Sequence, residues 1–234
     1  MRRASHEPNA QRARAERATR TLAKPAATRY RGAMLRYRPG VALIVVDVQN
    51  DFADPDGSLS VAGGEDVIPA INEQVDLAHS NGALVFATQD WHPEHTPHFA
   101  KDGGIWPDHC IQDTWGAQLH PALRLHDDTR IVRKGTNGED GYSAFSMRDA
   151  TTHETIPTEL GALLKEADVD EVVVTGLATD YCVRATALDS AGLGFHTYLL
   201  TDAVAGVNLK PGDGDAAIAE MEAAGIHLTN TRVR

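Results

Sequence analysis

The chain has 234 residues and a formal charge of −11, from 22 Lys and Arg against 33 Asp and Glu. Its 42% apolar content is enough for a sizeable core and excludes wholesale disorder. No apolar run approaches the ~20 residues needed to cross a bilayer, and two cysteines cannot make a disulfide framework.

The charge divides the chain. Residues 1–40 carry ten Arg and one Lys against Glu7 and Glu16, a net of +9, while residues 41–234 carry 11 basic and 31 acidic residues, a net of −20. A body this acidic repels phosphate backbones, which argues against nucleic acid as a partner. Residues 1–33 have Leu22 and Tyr30 as almost their only large apolar side chains, too little to offset ordering entropy, so residues 1–40 are expected to form a basic, disordered extension. A transit-like leader and a basic arm for an anionic partner compete with a dispensable tail; the tail is favoured, with Met34 as an alternative start. With no secretory leader, the expected compartment is a reducing cytoplasm.

From Val41 the pattern changes. Ala42–Val46, Ala83–Ala87, Arg130–Val132, Glu171–Thr175 and, more weakly, Phe195–Leu200 are short apolar runs without polar alternation, which suits strands buried on both faces of a parallel sheet. Between them lie helix-like stretches at Asp66–His79, Thr158–Ala167, Tyr181–Ala191 and Asp215–Ala224. The first places Val67, Ile68, Ile71, Val75 and Leu77 near helical spacing. Strands alternating with helices predict an α/β fold with a mostly parallel sheet and helices on both faces, with 41–234 as one domain.

In open parallel sheets, ligands bind beyond the carboxyl ends of the strands. The residues just past the apolar runs are Asp47, Asp90 with His92, Lys134, and Gly176 through Cys182. Cys182 follows a glycine-containing turn at the start of a helix, where the dipole and free N–H groups are expected to lower a thiol pKa and could hold an oxyanion. A lone cysteine would be better read as core. Asp47 as proton carrier and Lys134 as its orienting cation favour the catalytic reading. Six of the eleven histidines fall between His92 and His126. Asp90-Trp91-His92 is a D-x-H element leaving a strand, which His98 and His109 could complete as a metal set suited to Zn²⁺, Fe²⁺ or Mn²⁺. His95, His120 and His126 are assigned to solvent.

These segments together resemble one family. Val45-Val46-Asp47-Val48-Gln49-Asn50-Asp51-Phe52, Thr88-Gln89-Asp90-Trp91-His92-Pro93, Trp106-Pro107-Asp108-His109-Cys110, Lys134-Gly135-Thr136 with Gly141-Tyr142-Ser143-Ala144-Phe145, and Gly176-Leu177-Ala178-Thr179-Asp180-Tyr181-Cys182-Val183 are similar, in order, to the motifs of nicotinamidases (pyrazinamidases) in the isochorismatase-like cysteine hydrolase superfamily. The resemblance implies a three-layer α/β/α sandwich, nicotinamide as small-molecule substrate, pyrazinamide as a further one, and one divalent metal, Zn²⁺ ahead of Fe²⁺ or Mn²⁺. It implies Cys182 as nucleophile, Asp47 as base and acid, Lys134 as the third member, and the N–H groups of Ala178 and Cys182 as oxyanion hole after a cis Leu177–Ala178 peptide. Asp90, His92 and His109 would ligate the metal, with His98 as a fourth ligand as in the mycobacterial type. Phe52 and Trp106 would sandwich the ring beside Tyr142. The family includes monomers and larger assemblies, so a homo-oligomer is compatible with it. An amidase for a carbamoyl or ureido compound and a catalytically silent binding module are the alternatives. Isochorismate hydrolysis is disfavoured because Cys182 is present.

Overall fold

A computed structural model describes residues 35–232. The expectation of a disordered head therefore lies, for residues 1–34, outside the described residues. The packed body already includes Leu35 and Tyr37, both buried in the core, and Arg38, paired with Asp170 and Glu171.

Six strands form one sheet in the order β3-β2-β1-β6-β7-β8: β1 Val41–Val46, β2 Leu84–Asp90, β3 Arg130–Lys134, β6 Glu171–Leu177, β7 His196–Ala205 and β8 His227–Thr229. Every pairing in it is parallel. A separate antiparallel pair, β4 Ser146–Arg148 and β5 Thr155–Pro157, lies between β3 and β6 in sequence. The helices are α1 Asn50–Ala53, α2 Ile68–Ser80, α3 Leu160–Glu166, α4 Arg184–Gly192 and α5 Asp213–Ala223. A π-helical turn, Thr179–Val183, runs directly into α4.

The three layers follow from the strands' two-residue side-chain period. Val41, Leu43 and Val45 of β1 join Ile68, Ile71, Val75 and Ala78 of α2 in one apolar cluster. Ala42, Ile44 and Val46 join Leu160 and Leu164 of α3, Ala187 of α4 and Met221 of α5 in the other. Both sides of β1 are thus covered, which is why it reads as an unbroken apolar run. In α2 the structure departs from the expected stripe: Leu77 is 42% exposed and Ala78 takes the core position. Among the described residues no helix is long and apolar enough to cross a membrane.

The sheet order reverses between β1 and β6, because β1 is followed by β2 on one side while β6 leads to β7 on the other. Such a switch point opens a crevice at the strands' carboxyl ends. Register brings those ends level: Val46 lies beside Gly176, and Asp90 beside Lys134. Gly176 is required here, since it has φ +109° and a Cβ would sit 2.1 Å from the Val46 carbonyl oxygen.

Candidate active site

Each strand at the switch point delivers one group. Asp47 terminates β1 in the left-handed region at φ 48°, a conformation that Asp tolerates better than most residues and that recurs at functional sites. Its Oδ1 accepts a 2.6 Å hydrogen bond from Thr88 Oγ1, and its own N–H donates to the same hydroxyl at 3.1 Å. Asp90 and Lys134 end β2 and β3 as register partners, so their side chains emerge on the same face. Lys134, 1% exposed, pairs with Asp90 Oδ1 and with Asp47 Oδ2 at 2.8 Å. Its Nζ also stands 3.6 Å from Cys182 Sγ. Cys182 rides on the π turn after β6, and the Leu177–Ala178 peptide just before that turn is cis.

The electrostatics follow from burial. Removal from water raises the proton affinity of Asp47, against the pull of Lys134. Burial also raises that of Asp90, but the Lys134 ammonium and the nearby imidazoles outweigh it and hold Asp90 well below the usual carboxylate range. Burial would strip Lys134 of its proton, yet Asp47 and Asp90 keep it charged far beyond an ordinary lysine. For Cys182 the expected lowering is reversed: burial and the two carboxylates push the thiol up, with Lys134 opposing. The resting group is a thiol that needs a base, and Asp47 is placed to be one.

A second cluster adjoins the first. One ring nitrogen each of His92, His98 and His109 lie within 4.8 Å of one another, and all three residues are buried. His109 Nδ1 is bonded to the Pro107 carbonyl oxygen at 2.7 Å, and His98 Nδ1 to Asp140 Oδ1 at 2.7 Å. Such partners fix a ring so that its other nitrogen points to a metal. Both ring nitrogens of His92 are buried without a hydrogen bond, and a bound cation would satisfy one of them. Burial lowers the His109 pKa to about 4, leaving the neutral imidazole that metals require. Asp90 Oδ2 faces His92 Nε2 at 3.9 Å, so the carboxylate that binds Lys134 with one oxygen turns the other toward the imidazoles. This donor set fits a divalent transition-metal ion. Gly135, at φ +74°, is needed beside it, because a Cβ there would meet His92 Nδ1 at 2.6 Å.

The two clusters share a cavity lined by Phe52, Asp90, His98, Trp106, His109, Tyr142, Ala178 and Cys182. Its aromatic walls suit a small flat ligand. Trp106 Nε1–H donates to Tyr142 Oη at 3.0 Å, and Tyr181 meets Trp106 edge-on at 4.8 Å between centroids. Of the sequence-predicted residues, Asp47, Lys134 and His92 sit behind this lining, and the rest form it.

Several contributors escaped the sequence reading. Leu59 and Val207 also line the cavity, beside Tyr181, the residue before the nucleophile that the sequence already placed at the pocket rim. Val207 reaches it because the Asp180 carboxylate accepts the N–H groups of Val207 and Asn208. The Gln49 amide brackets the Asp90 main chain, donating to its carbonyl at 2.7 Å and accepting its N–H at 2.8 Å. Asp51 accepts the Cys110 N–H at 2.6 Å and so holds the segment carrying His109. Gln49, Asp51 and Thr88 had an available signal, since all three lie within the motifs quoted from the sequence, and Thr88 also stands two residues before Asp90 and shares its face of the strand. His120, expected in solvent, is buried at 5% exposure and accepts the Ala122 N–H.

The isochorismatase domain model matches residues 41–233, and the chain belongs to the isochorismatase family. Within that family several of its relatives are named nicotinamidases. That of Escherichia coli strain K12 is 39% identical over 206 residues, covering 81% of this chain and 94% of the relative. Among solved structures, the pyrazinamidase of Pyrococcus horikoshii in complex with zinc superposes with a TM-score of 0.73 at 42% identity, covering 82% of this chain and 99% of that one. The L. infantum PnC1 in complex with nicotinate gives 0.78 at 37% identity, covering 86% and 98%.

Proposed function

We propose that this chain hydrolyses nicotinamide to nicotinate and ammonia, and pyrazinamide likewise, through a thioester on Cys182. The observation that carries the reading is the contact of one ammonium, Lys134, with Asp47, Asp90 and the Cys182 sulfur beside an aromatic cavity lined by His98 and His109 and backed by His92, three converging imidazoles. Relatives named as nicotinamidases and a neighbour holding nicotinate supply the substrate.

Asp47 takes the Cys182 proton and the sulfur attacks the carboxamide carbon. The transfer is internal, so the charge of the Asp47–Asp90–Lys134–Cys182 group is unchanged by it. Two carboxylates and one ammonium become one carboxylate, one ammonium and one thiolate, both carrying one net negative charge. The raised proton affinity of Asp47 suits it to this exchange with a thiol. The N–H groups of Ala178 and Cys182 receive the oxyanion. Collapse breaks the C–N bond as Asp47 returns its proton to the departing ammonia. A water then gives a proton to Asp47 and its oxygen to the thioester carbon, nicotinate leaves, and the proton returns to sulfur. A metal held by Asp90, His92, His98 and His109 would serve as a Lewis-acid anchor for the pyridine nitrogen, orienting the ring. Phe52, Trp106 and Tyr142 wall the ring.

On this proposal the activity belongs to residues 41–234, outside the basic 1–40 segment, and gives the chain a role in NAD salvage in the cytoplasm. The test is ammonia release from nicotinamide by wild-type protein and Cys182→Ala, before and after chelation and return of Zn²⁺, Fe²⁺ or Mn²⁺. The expected result is turnover that falls on chelation, recovers with metal and is lost without the thiol. Substantial activity in C182A would overturn the thioester route, and no release in any metal-restored wild-type sample would overturn the substrate.

A further inference from the structure

Asp140 belongs to no strand, helix or sequence motif singled out above, yet it joins two parts of the site that are far apart in the chain. Its Oδ1 meets His98 Nδ1 at 2.7 Å, while its main chain is bridged to Arg148, N–H to carbonyl in both directions at 2.9 and 2.6 Å. Two residues later Tyr142 Oη accepts the Trp106 indole N–H at 3.0 Å. Trp106 in turn is bridged to Phe99, the residue after His98, and its carbonyl accepts the Ala100 N–H at 2.7 Å. These contacts close a ring: His98, Asp140, Tyr142, Trp106, and back along the backbone to His98. One rung of that ring ends on an imidazole of the three-histidine cluster, and the other is the aromatic wall of the substrate cavity.

We infer that Asp140 is a positioning residue that aims His98 Nε2 at the metal and makes metal occupancy and the fixing of the 139–148 wall segment one event. The reasoning rests on the metal reading given above. A carboxylate on Nδ1 selects the tautomer whose Nε2 lone pair is free, and loss of such a partner weakens metal binding by about 10–100-fold. The same carboxylate is covalently continuous with Gly141 and Tyr142. An ion that fixes His98 therefore fixes Asp140, and with it the position from which Tyr142 receives the Trp106 bond. Without the carboxylate the ring is open, and metal binding bears on the wall only through the looser ring contacts of His98 with Trp106 and Tyr142.

The test compares full-length wild type with Asp140→Ala, Asp140→Asn and, as a control in the same segment, Glu139→Ala, whose side chain bonds only to Asn137. Zn²⁺ affinity is measured by competition with a chromophoric chelator, and amide hydrogen exchange of residues 139–148 is followed with and without Zn²⁺. We expect D140A to bind Zn²⁺ 10–100-fold more weakly and to lose most of the Zn²⁺-induced protection of 139–148. D140N, which keeps an acceptor oxygen, falls between D140A and wild type, and E139A matches wild type. A D140A affinity within threefold of wild type, or undiminished protection on Zn²⁺ addition, would overturn the inference. Failure of wild type itself to bind Zn²⁺ would instead overturn the metal reading beneath it.

Discussion

Replacing Lys134 by Met keeps an apolar stem of similar length and deletes the charge on which the site is built. At 2.8 Å from Asp47, the ammonium has a gross attraction of about 6 kcal/mol at an effective dielectric near 20, with Asp90 a second partner. Desolvation of the ions offsets much of this. Removing one member of a buried pair nevertheless costs about 3–5 kcal/mol, because the remaining charge is left unpaired. For a domain of this size that is a fall in Tm of roughly 6–20 °C. The deficit depends on pH with a definite sign. Without Lys134, burial and mutual repulsion raise both carboxylates in the folded state above an unfolded value near ~3.9. A raised group contributes stability that is present below its unfolded pKa and is lost as pH rises through the folded one. In wild type Asp90 is instead lowered, so its contribution is present above the unfolded pKa and is lost only as pH falls through the folded value. The Asp90 contribution in wild type is nearly complete at both pH 5 and pH 8. It is therefore the raised carboxylates of the variant, Asp90 above all since Asp47 is already raised in wild type, that make K134M worst at pH 8 and closer to wild type at pH 5. Urea unfolding followed by circular dichroism, in chelator at both pH values, measures this. A deficit below about 1 kcal/mol at pH 8, or one unchanged at pH 5, would refute the assignment of Lys134 as the charge that holds the site together.

Gly176→Ala should destabilise the fold by about 3 kcal/mol or more, since both φ +109° and the Val46 carbonyl at 2.1 Å forbid the methyl group; chemical unfolding reads this directly. The acid limb of kcat/KM for nicotinamide should lie above the ordinary carboxylate range, because burial raises Asp47 and its protonation removes the base; a limb below pH 4 would contradict that role. Thr88→Val removes the 2.6 Å bond that favours ionised Asp47, so it should move this limb to higher pH and cost about 1–3 kcal/mol in stability. An unmoved limb would show that Thr88 does not tune the base.

The sheet was legible because its strands are buried on both faces: Ala42–Val46 and Glu171–Thr175 announce themselves as apolar runs, and the groups just beyond them fall at the switch point. The helix containing Ile68, Ile71 and Val75 was equally plain, but periodicity misassigned Leu77, where a neighbouring alanine fits the core and leucine does not. β4 and β5 have three residues each, too few for a period, and their pairing depends on partners in the loops. The thiol pKa went the wrong way because local sequence reveals the helix start but not the two carboxylates and the dry surroundings brought by other strands. Asp140 and Val207 were invisible for the same reason, as each acts through a contact between distant segments.

The central place of β1 in the sheet has a consequence for the chain as it is made. Among the described residues β1 is the first strand to leave the ribosome, but one of its two neighbours, β6, pairs Glu171 with Val41, about 130 positions later. At 5–20 residues per second, one flank of β1 stays open for roughly 6–26 s of synthesis. During that interval the nascent protein carries an apolar strand with an unsatisfied edge, the kind of surface that recruits chaperones or another copy of itself. Asp47 waits at its tip for a sulfur that has not yet been translated.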